Sequence, residues 1–297
     1  NKKFSWTNSF RYNNNRFLLN SLETSGEYRP NFTDYQTYFS YRPNSKWSFD
    51  IIGNYNSNHY NFYPKTRETT FGTMDNVKSF NVYFDGQEND IFKTTSATFG
   101  ITRQFSPTSC ISLIASSFTS NEKEQYDIQS QYWLTQTESQ ENLGVGTFFE
   151  HARNYLKANV NILKLILKHN IDKHNIEAGI TLKDEHIKEY SNEYEMRDSS
   201  GYSIPHTGND LNMIYSLNAN NRINSRRIES YIQDTWKFSS ANENTLFTLN
   251  YGARISHWSY NKETIVSPRI SLVVIPSFNK NITLRLATGV YYQAPFF

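Results

Sequence analysis

The sequence has few cysteines and glycines and no long apolar run, and each shortage narrows the class of protein. The 297 residues include one cysteine, Cys110, which rules out an internal disulfide and a multi-cysteine metal site. The 12 glycines are scattered, and none forms a phosphate-cradling loop. With 37% hydrophobic residues and a mean hydropathy of −0.69, no stretch reaches the about 20 apolar residues of a transmembrane helix.

The charge balance and the spacing of the histidines argue against two further classes. The net charge is +2, with 30 basic and 28 acidic residues and no basic block, so we expect no nucleic-acid partner. The 7 histidines form no HExxH or similarly spaced ligand set, and no motif pairs a nucleophile with a base. We therefore expect no catalytic residue, no metal site and no cofactor.

Aromatic residues are abundant, and apolar side chains recur at every second position. The aromatic fraction is 16%, with 21 tyrosines and 21 phenylalanines. In the clearest segment Phe247, Leu249 and Tyr251 alternate with Thr248 and Asn250. This period of two predicts strands, and segments of roughly ten such residues are typical of transmembrane β-barrels with aromatic girdles. Similar alternation occurs at 47–55, 97–105, 176–183 and 282–286.

Two kinds of connection alternate between the predicted strands. Clusters of Pro, Asn, Asp and Ser predict tight turns at 13–16, 42–46, 106–109, 171–174, 239–244 and 276–280. Between them, 61–92, 121–150 and 191–225 are long, polar and irregular, 77–84 is a β-extension, and the connections near 29–31 and 261–264 are short. Short periplasmic turns and long extracellular loops indicate an all-β, antiparallel transmembrane β-barrel segment of about twelve strands. A soluble β-sandwich is the alternative.

One segment, residues 156–171, shifts its apolar phase. The apolar positions move from Ala158, Val160 and Ile162 to Leu163 and Leu165. Because a β-bulge switches the faces of a strand, we expect a bulge at this point, with a short helix as the alternative.

The last third of the chain carries four segments with a family resemblance. They are YIQDTWKF (231–238), LNYGARISHWSYNKE (249–263), SPRISLVVIP (267–276) and LRLATGVYYQAPF (284–296). In this order they resemble the barrel of TonB-dependent outer-membrane receptors, particularly those of Bacteroidetes-type bacteria. The motif residues are Gln233, Asp234, Trp236, Gly252, Arg254, Ser267, Pro268, Arg269, Gly289, Tyr291, Tyr292 and Pro295.

The resemblance implies a function, a location and a set of partners. Family members are 22-stranded barrels closed by a plug domain, and they import a scarce nutrient across the bacterial outer membrane with energy delivered by TonB. We expect residues 1–297 to be a single partial barrel domain, with the plug and the C-terminal strands outside this sequence. The implied partners are the TonB complex through the plug, outer-membrane lipid or lipopolysaccharide, a siderophore, vitamin, glycan or peptide, and a surface lipoprotein. A passive porin-like channel and a surface adhesion or structural barrel remain alternatives.

Two groups of side chains are candidates for contact with a solute or the plug. Arg254, Arg269 and Arg285 occupy polar positions of three neighbouring strands, so we expect them to face the lumen together. They would pair with acidic residues of the plug or with an anionic solute, or they simply line a wet wall. The predicted loops also hold rings that would bind a sugar, siderophore or peptide, or form an interface girdle. These rings are Tyr126, Tyr132, Trp133, Tyr190, Tyr194 and Tyr202.

Overall fold

The computed structural model describes residues 3–16, 26–73, 76–199, 211–240 and 244–292. Within these ranges no helix has the length and apolar character needed to cross a membrane. The strands are β1 (Phe4–Asn14), β2 (Gly26–Tyr28), β3 (Asn31–Asn44), β4 (Trp47–Pro64), β5 (Arg67–Thr73), β6 (Asn76–Ser106), β7 (Ser109–Gln136), β8 (Asn142–Ile171), β9 (His174–Ser199), β10 (Asn212–Ser239), β11 (Leu246–Trp258), β12 (Glu263–Ile275) and β13 (Leu284–Gly289).

All thirteen strands belong to one antiparallel sheet. Its order is β1-β3-β4-β6-β7-β8-β9-β10-β11-β12-β13, while the short strands β2 and β5 pair with β4 and β6. Apart from β2 and β5, strands adjacent in this order follow one another along the chain, as in a meander. The all-β antiparallel prediction is confirmed, with thirteen strands in place of about twelve, and the two-sheet sandwich alternative is wrong.

Most tight turns lie where the sequence predicted them, at one end of the sheet. Strand pairs β3–β4, β6–β7 and β8–β9 are joined at 45–46, 107–108 and 172–173. The turn predicted at 13–16 is wrong, because Asn14 is a strand residue that pairs with Asn31 at the opposite end. In a strand that meets water on both faces, asparagine side chains do not interrupt the backbone ladder, so the asparagine cluster was a misleading turn signal.

The long irregular loops predicted at 61–92, 121–150 and 191–225 are also wrong in their described parts, because the strands continue through them. Strands β6, β7, β8, β9 and β10 contain 31, 28, 30, 26 and 28 residues. A transmembrane strand needs only about 9–11 residues, so at ~3.3 Å per residue each strand extends far above the membrane. The β-extension at 77–84 is part of β6 and is confirmed.

The register divides the sheet into an apolar face and a polar face. Residues paired across antiparallel strands share a face, and one such row runs Ile51–Phe99–Ala115–Leu163–Leu182–Ile228. These apolar side chains are exposed; Ile228, for example, is 50% exposed. Most buried polar residues, including Asp34, Glu185 and Ser267, lie on the other face. Side chains crowd on the concave side of a curved sheet, so the polar face is the inner wall and the apolar face is the outer wall.

The expected bulge in 156–171 is absent, and the change of phase has another cause. Strand β8 pairs with β9 without a register shift from Gly146 to Ile171. Ala158 lies on the inner face, 7% exposed, and packs at the level of Ile187, which is 6% exposed. Lower on the strand Leu163 lies on the outer face and is 44% exposed. The apolar phase therefore changes because the upper part of the strand buries small apolar side chains on the inner face, whereas the lower part presents leucines on the outer face.

The two edge strands of the sheet determine what the chain can do alone. Within the described residues β1 pairs with β3 and β13 pairs with β12, and these two edge strands do not pair with each other. An unpaired backbone N–H or C=O costs several kcal/mol in lipid, so an open sheet edge is not tolerated there.

We therefore expect the 297-residue chain, produced alone, not to insert into lipid vesicles as a stable monomer. The measurement is the shift in electrophoretic mobility between heated and unheated samples, with the full-length receptor as the folded control. A heat-sensitive, compact band from the isolated chain would contradict this expectation.

Candidate functional site

Three arginines predicted to face the lumen share the inner wall of β11, β12 and β13. Arg254 pairs with Ser267 and Arg269 pairs with Gly252, which places both side chains on the polar face. Arg285 on β13 pairs with Val273 on the same face. All three arginines line one cavity of about 580 Å³. Their placement together is a structural observation, and their role in contact with a plug or solute stays a prediction.

Two motif glycines lie where neighbouring strands approach closely on this wall. A Cβ atom at Gly252 would lie 2.5 Å from the carbonyl oxygen of Ile232, and one at Gly289 would lie 2.9 Å from Cγ of Arg269. Gly252 and Gly289 are the two cross-strand partners of Arg269. Gly289 therefore leaves room for the side chain of Arg269, whereas Gly252 allows the close approach of the β10 backbone at Ile232.

Nearby carboxylates neutralise little of the positive charge of the three arginines. Nη1 of Arg254 lies 3.9 Å from Oε2 of Glu229. Arg269 lies over the ring of Tyr291 at 4.7 Å from its centroid, which is cation–π geometry. In the part of the chain that the structure describes, no carboxylate lies within 4.0 Å of Arg269 or Arg285. The wall thus presents guanidinium groups suited to bidentate contact with an anion.

A tyrosine that the sequence did not single out lies beside this group. Tyr231 donates its hydroxyl to Oε1 of Glu177 at 2.6 Å, and Nζ of Lys168 lies 3.2 Å from the other oxygen of that carboxylate. The ring of Tyr231 covers Gly179, where a Cβ atom would lie 2.4 Å from this ring. Sequence alternation alone predicts the face of Tyr231 but not the strand that it covers.

A second group of side chains lies higher on the inner face, above the membrane. It consists of carboxylates from four consecutive strands, with Tyr60 and Tyr126 beside them. Asp90 pairs with Glu124 and Glu88 pairs with Tyr126, while Glu193 pairs with Ala152. The spacing of two between Glu88 and Asp90 indicated a shared face, but only the register shows which carboxylates meet. We call this group the carboxylate wall: Glu88, Asp90, Glu124, Glu150 and Glu193.

The carboxylate wall contains more hydrogen-bond acceptors than donors. Nδ2 of Asn154 donates to Glu193 at 2.6 Å and to Glu124 at 3.1 Å, while its own Oδ1 is buried without a partner. Asp90 is 8% exposed, and its Oδ1 is also buried without a partner. Buried acceptors in native proteins are nearly always paired, so this wall is suited to a ligand that brings donors.

Burial and mutual repulsion shift the pKa values of this group. Burial, with the neighbouring charge of Asp90, raises the pKa of Glu88 to about 7. Burial, with the charge of Glu150, raises the pKa of Tyr126 to about 12, and burial with the charge of Glu88 raises the pKa of Tyr60 to about 12. Near neutral pH, the charge of Glu88 therefore responds to small changes of pH.

The aromatic candidates of the predicted loops lie on strands and on both faces. Tyr126 and Tyr132 are on the inner face, paired with Glu88 and Val82. Trp133 is on the outer face, where it pairs with Asn81. Tyr190 and Tyr194 are also on the outer face, and their partners on β8 are Tyr155 and His151. Tyr202 lies outside the described residues. Because these rings lie on opposite faces of the sheet, they cannot all line one pocket. Their contact with a ligand stays a prediction.

Two of the remaining motif residues, Asp234 and Trp236, lie near the turn end of the sheet, and the others lie further along the strands. Asp234 on the outer face accepts from His174 at 2.6 Å and from Tyr251 at 2.8 Å, and Trp236 stacks on His174 at 5.4 Å. These rings lie near the 172–173 turn, where aromatic girdles meet a membrane interface. Gln233 and Ser267 are on the inner face and Pro268 is on the outer face, the Tyr292 hydroxyl donates to Glu263 at 3.4 Å, and Pro295 lies outside the described residues.

Comparison with known proteins identifies the family. A family model described as TonB dependent receptor-like, beta-barrel matches residues 1–297. The chain belongs to the TonB-dependent receptor family. This TonB-dependent receptor barrel is an outer-membrane protein, and its family takes up nutrients in partnership with TonB. The family is one of transporters and receptors, not of enzymes.

Two further sequence-based expectations concern the bacterial group of the chain and a metal site. No curated protein matches the chain, and the family description names no bacterial group, so the Bacteroidetes-type resemblance stays a prediction. Across the described ranges no three His, Cys, Asp or Glu side chains are grouped so as to hold a metal ion.

The raised pKa of Glu88 gives the receptor a pH-dependent stability. Its folded pKa of about 7 exceeds the ordinary 4.5, so its stabilising contribution is complete below pH 4.5 and is lost as the pH rises through 7. After allowance for solvent screening, we expect a loss of about 1 kcal/mol between pH 5 and 8. Glu88→Gln should flatten the pH dependence of the thermal unfolding temperature, whereas the exposed Glu141→Gln should leave it unchanged. Equal pH profiles for Glu88→Gln and the unaltered receptor would contradict the assignment.

Proposed function

We propose that the chain forms part of the wall of a 22-stranded outer-membrane barrel that imports a nutrient when TonB moves a plug domain inside it. The observation that carries the proposal is the division of the sheet into an apolar outer face and a polar inner wall. The apolar face is exposed rather than covered by other elements, which suits a sheet with lipid on one side and a hydrated interior on the other. The eleven strands of the continuous sheet order account for half of such a wall, since β2 and β5 lie beside it.

In this proposal the arginine group contacts the plug. Arg285 is the second residue after the 276–283 connection, and Arg269 is six residues before Ile275. Both therefore lie at the level of the membrane, below the carboxylate wall. A solute arriving from outside meets the carboxylate wall first, whereas a plug inside the barrel meets the arginines. Guanidinium groups without nearby carboxylates provide contacts for acidic residues of the plug.

The carboxylate wall contacts the solute. Its side chains accept hydrogen bonds, and Asp90 and Asn154 each retain a buried acceptor atom without a partner. A solute rich in donors, such as a basic peptide or an oligosaccharide, satisfies these acceptors, whereas an anionic siderophore is repelled. Above this level, the extended strands offer a wall on which a surface lipoprotein would rest.

Substitution of the arginine group should separate transport from capture. In the full-length receptor we expect Arg254→Gln/Arg269→Gln/Arg285→Gln to reduce nutrient uptake by at least about tenfold, while binding of the nutrient at the cell surface stays within about twofold. The reason is that the substitution disturbs the plug and leaves the outer site unchanged. Uptake and binding are measured in parallel with labelled nutrient on whole cells.

The matched control removes three positive charges from periplasmic turns, with Lys46, Lys173 and Lys280 changed to Gln. All three lysines are exposed, and we expect uptake to remain normal. Normal uptake by the arginine variant, or equal loss in both variants, would contradict a specific role for the arginine group.

The donor-rich solute is tested at the carboxylate wall. We expect oligolysine to bind the full-length receptor, and Glu124→Gln/Glu193→Gln to weaken that binding by about tenfold, because each carboxylate supplies a charge-assisted contact. Isothermal titration with oligolysine, a neutral oligosaccharide and ferric citrate ranks the three solute classes. Preferential binding of ferric citrate would overturn the solute class, although not the transport function.

A further inference from the structure

The outer face of β6 to β10 becomes basic above its apolar rows. Following the register upwards from the row of Leu163, the next two rows are Ala97–Ser117–Asn161–Asp184–Arg226 and Thr95–Thr119–Asn159–His186–Asn224. The row above them is Lys93–Asn121–Lys157–Lys188–Arg222. Four of its five members are cations, and Lys123 lies on the same face one row higher. We call the four cations Lys93, Lys157, Lys188 and Arg222 the basic row.

The basic row is not neutralised by the protein. Lys93, Lys157, Lys188 and Arg222 are exposed, and among the residues that the structure describes no carboxylate lies within 4.0 Å of them. Two rows below, Arg226 is different, since its Nε lies 3.2 Å from Asp184. The uncompensated charge therefore begins above the level of Arg226.

The arrangement of these cations opposes folding of the isolated sheet. Lys157 pairs directly with Lys188, and Lys188 pairs directly with Arg222. Like charges at directly opposite positions of antiparallel strands are destabilising. Three such neighbours in one row, without a carboxylate beside them, are stabilised when an anion from outside the chain lies across the row.

Two concavities on the same strands show what kind of anion fits. The lower one, about 870 Å³, is lined mainly by apolar or small residues, among them Ile51, Phe99, Leu163, Leu182 and Ile228. The upper one, about 510 Å³, is lined by Lys93, Lys123, Lys157 and Lys188 together with Tyr155 and Tyr190. Glu122 and Glu189 also line it, and the register assigns both of these residues to the inner face. The rings of Tyr155 and Tyr190 are 6.1 Å apart and are exposed. An apolar groove thus lies below a basic surface with exposed aromatic rings, which suit contact with sugars.

The height of the basic row agrees with the head of a lipid. The apolar rows of β8 run from Leu163 to Ile171, nine residues above the periplasmic turn, about the length that crosses the hydrocarbon core. Lys157 is six residues above Leu163, or about 15 Å along the membrane normal for a strand tilted by about 40°. The row is on the outer face, opposite the carboxylate wall, and so it does not line the path of the solute.

We propose that the outer face of β6 to β10 binds lipopolysaccharide of the outer leaflet. The phosphates and acidic sugars of its head contact Lys93, Lys157, Lys188 and Arg222, and its sugar rings pack on Tyr155 and Tyr190. One or more acyl chains occupy the apolar groove below. Lysine and arginine clusters next to a membrane surface bind anionic lipid heads in this manner. The proposal rests on the outer-membrane location and does not depend on the identity of the transported solute.

The test uses the full-length receptor, purified in detergent and freed of lipid, and rough-type lipopolysaccharide as the probe. We expect the variant with Lys93, Lys157, Lys188 and Arg222 changed to Gln to bind lipopolysaccharide at least about tenfold more weakly than the unaltered receptor. The same four positions changed to retain charge, with each lysine replaced by Arg and Arg222 by Lys, should bind within about threefold. Unchanged binding by the Gln variant would overturn the proposal.

Two further measurements keep the proposal testable if the Gln variant does not fold. The control variant Lys46→Gln/Lys173→Gln/Lys280→Gln, altered on the periplasmic side, should bind lipopolysaccharide normally, and equal loss in it would overturn the assignment. On the unaltered receptor, removal of the phosphates from lipopolysaccharide should weaken binding by at least about tenfold, and raised salt should weaken binding of the intact lipid. Equal binding of phosphatidylglycerol, or of the dephosphorylated lipid, would overturn the choice of lipopolysaccharide.

Discussion

The backbone hydrogen-bond ladder is the constraint on which the rest of the structure depends. A chain that crosses lipid with strands has to pair every N–H and C=O with a neighbouring strand, because lipid offers no replacement partner. The meander from β1 to β13 meets this requirement with antiparallel neighbours along the sheet. Once the ladder determines the register, each side chain is assigned to one of two faces, and all the groupings described above follow from that assignment.

Two different solvents then determine which side chains the two faces carry. At the level of the membrane the outer face meets lipid and holds residues such as Leu163 and Ile228, while the inner wall holds Arg254, Arg269 and Tyr231. Above the membrane the outer face meets water and lipid heads, so lysines replace leucines. The inner face becomes more crowded at that height, and Ala152, at 0% exposed, lies among the carboxylates.

The sequence predicts the strands whose two faces meet different solvents. Strand β11 was evident from the alternation of Phe247, Leu249 and Tyr251, and the two-residue turns at 107–108 and 172–173 were evident from their proline, serine and asparagine neighbours. The upper halves of β6 to β10 were mistaken for loops, because both faces there carry polar side chains and period-two alternation disappears. The carboxylate wall was missed for another reason: Asp90 and Glu124 are far apart in sequence, and only the pairing of β6 with β7 brings them together.

The same register places opposite charges on opposite faces of single strands. Along β6, Asp90 and Glu88 point inward, while Lys93 points outward only three residues from Asp90. Along β9, Glu193 points inward and Lys188 outward. Because a strand alternates its side chains, charges of opposite sign are separated here by the sheet itself rather than paired. An acidic interior and a basic exterior can therefore arise from adjacent residues, and a one-residue change of register would exchange both surfaces.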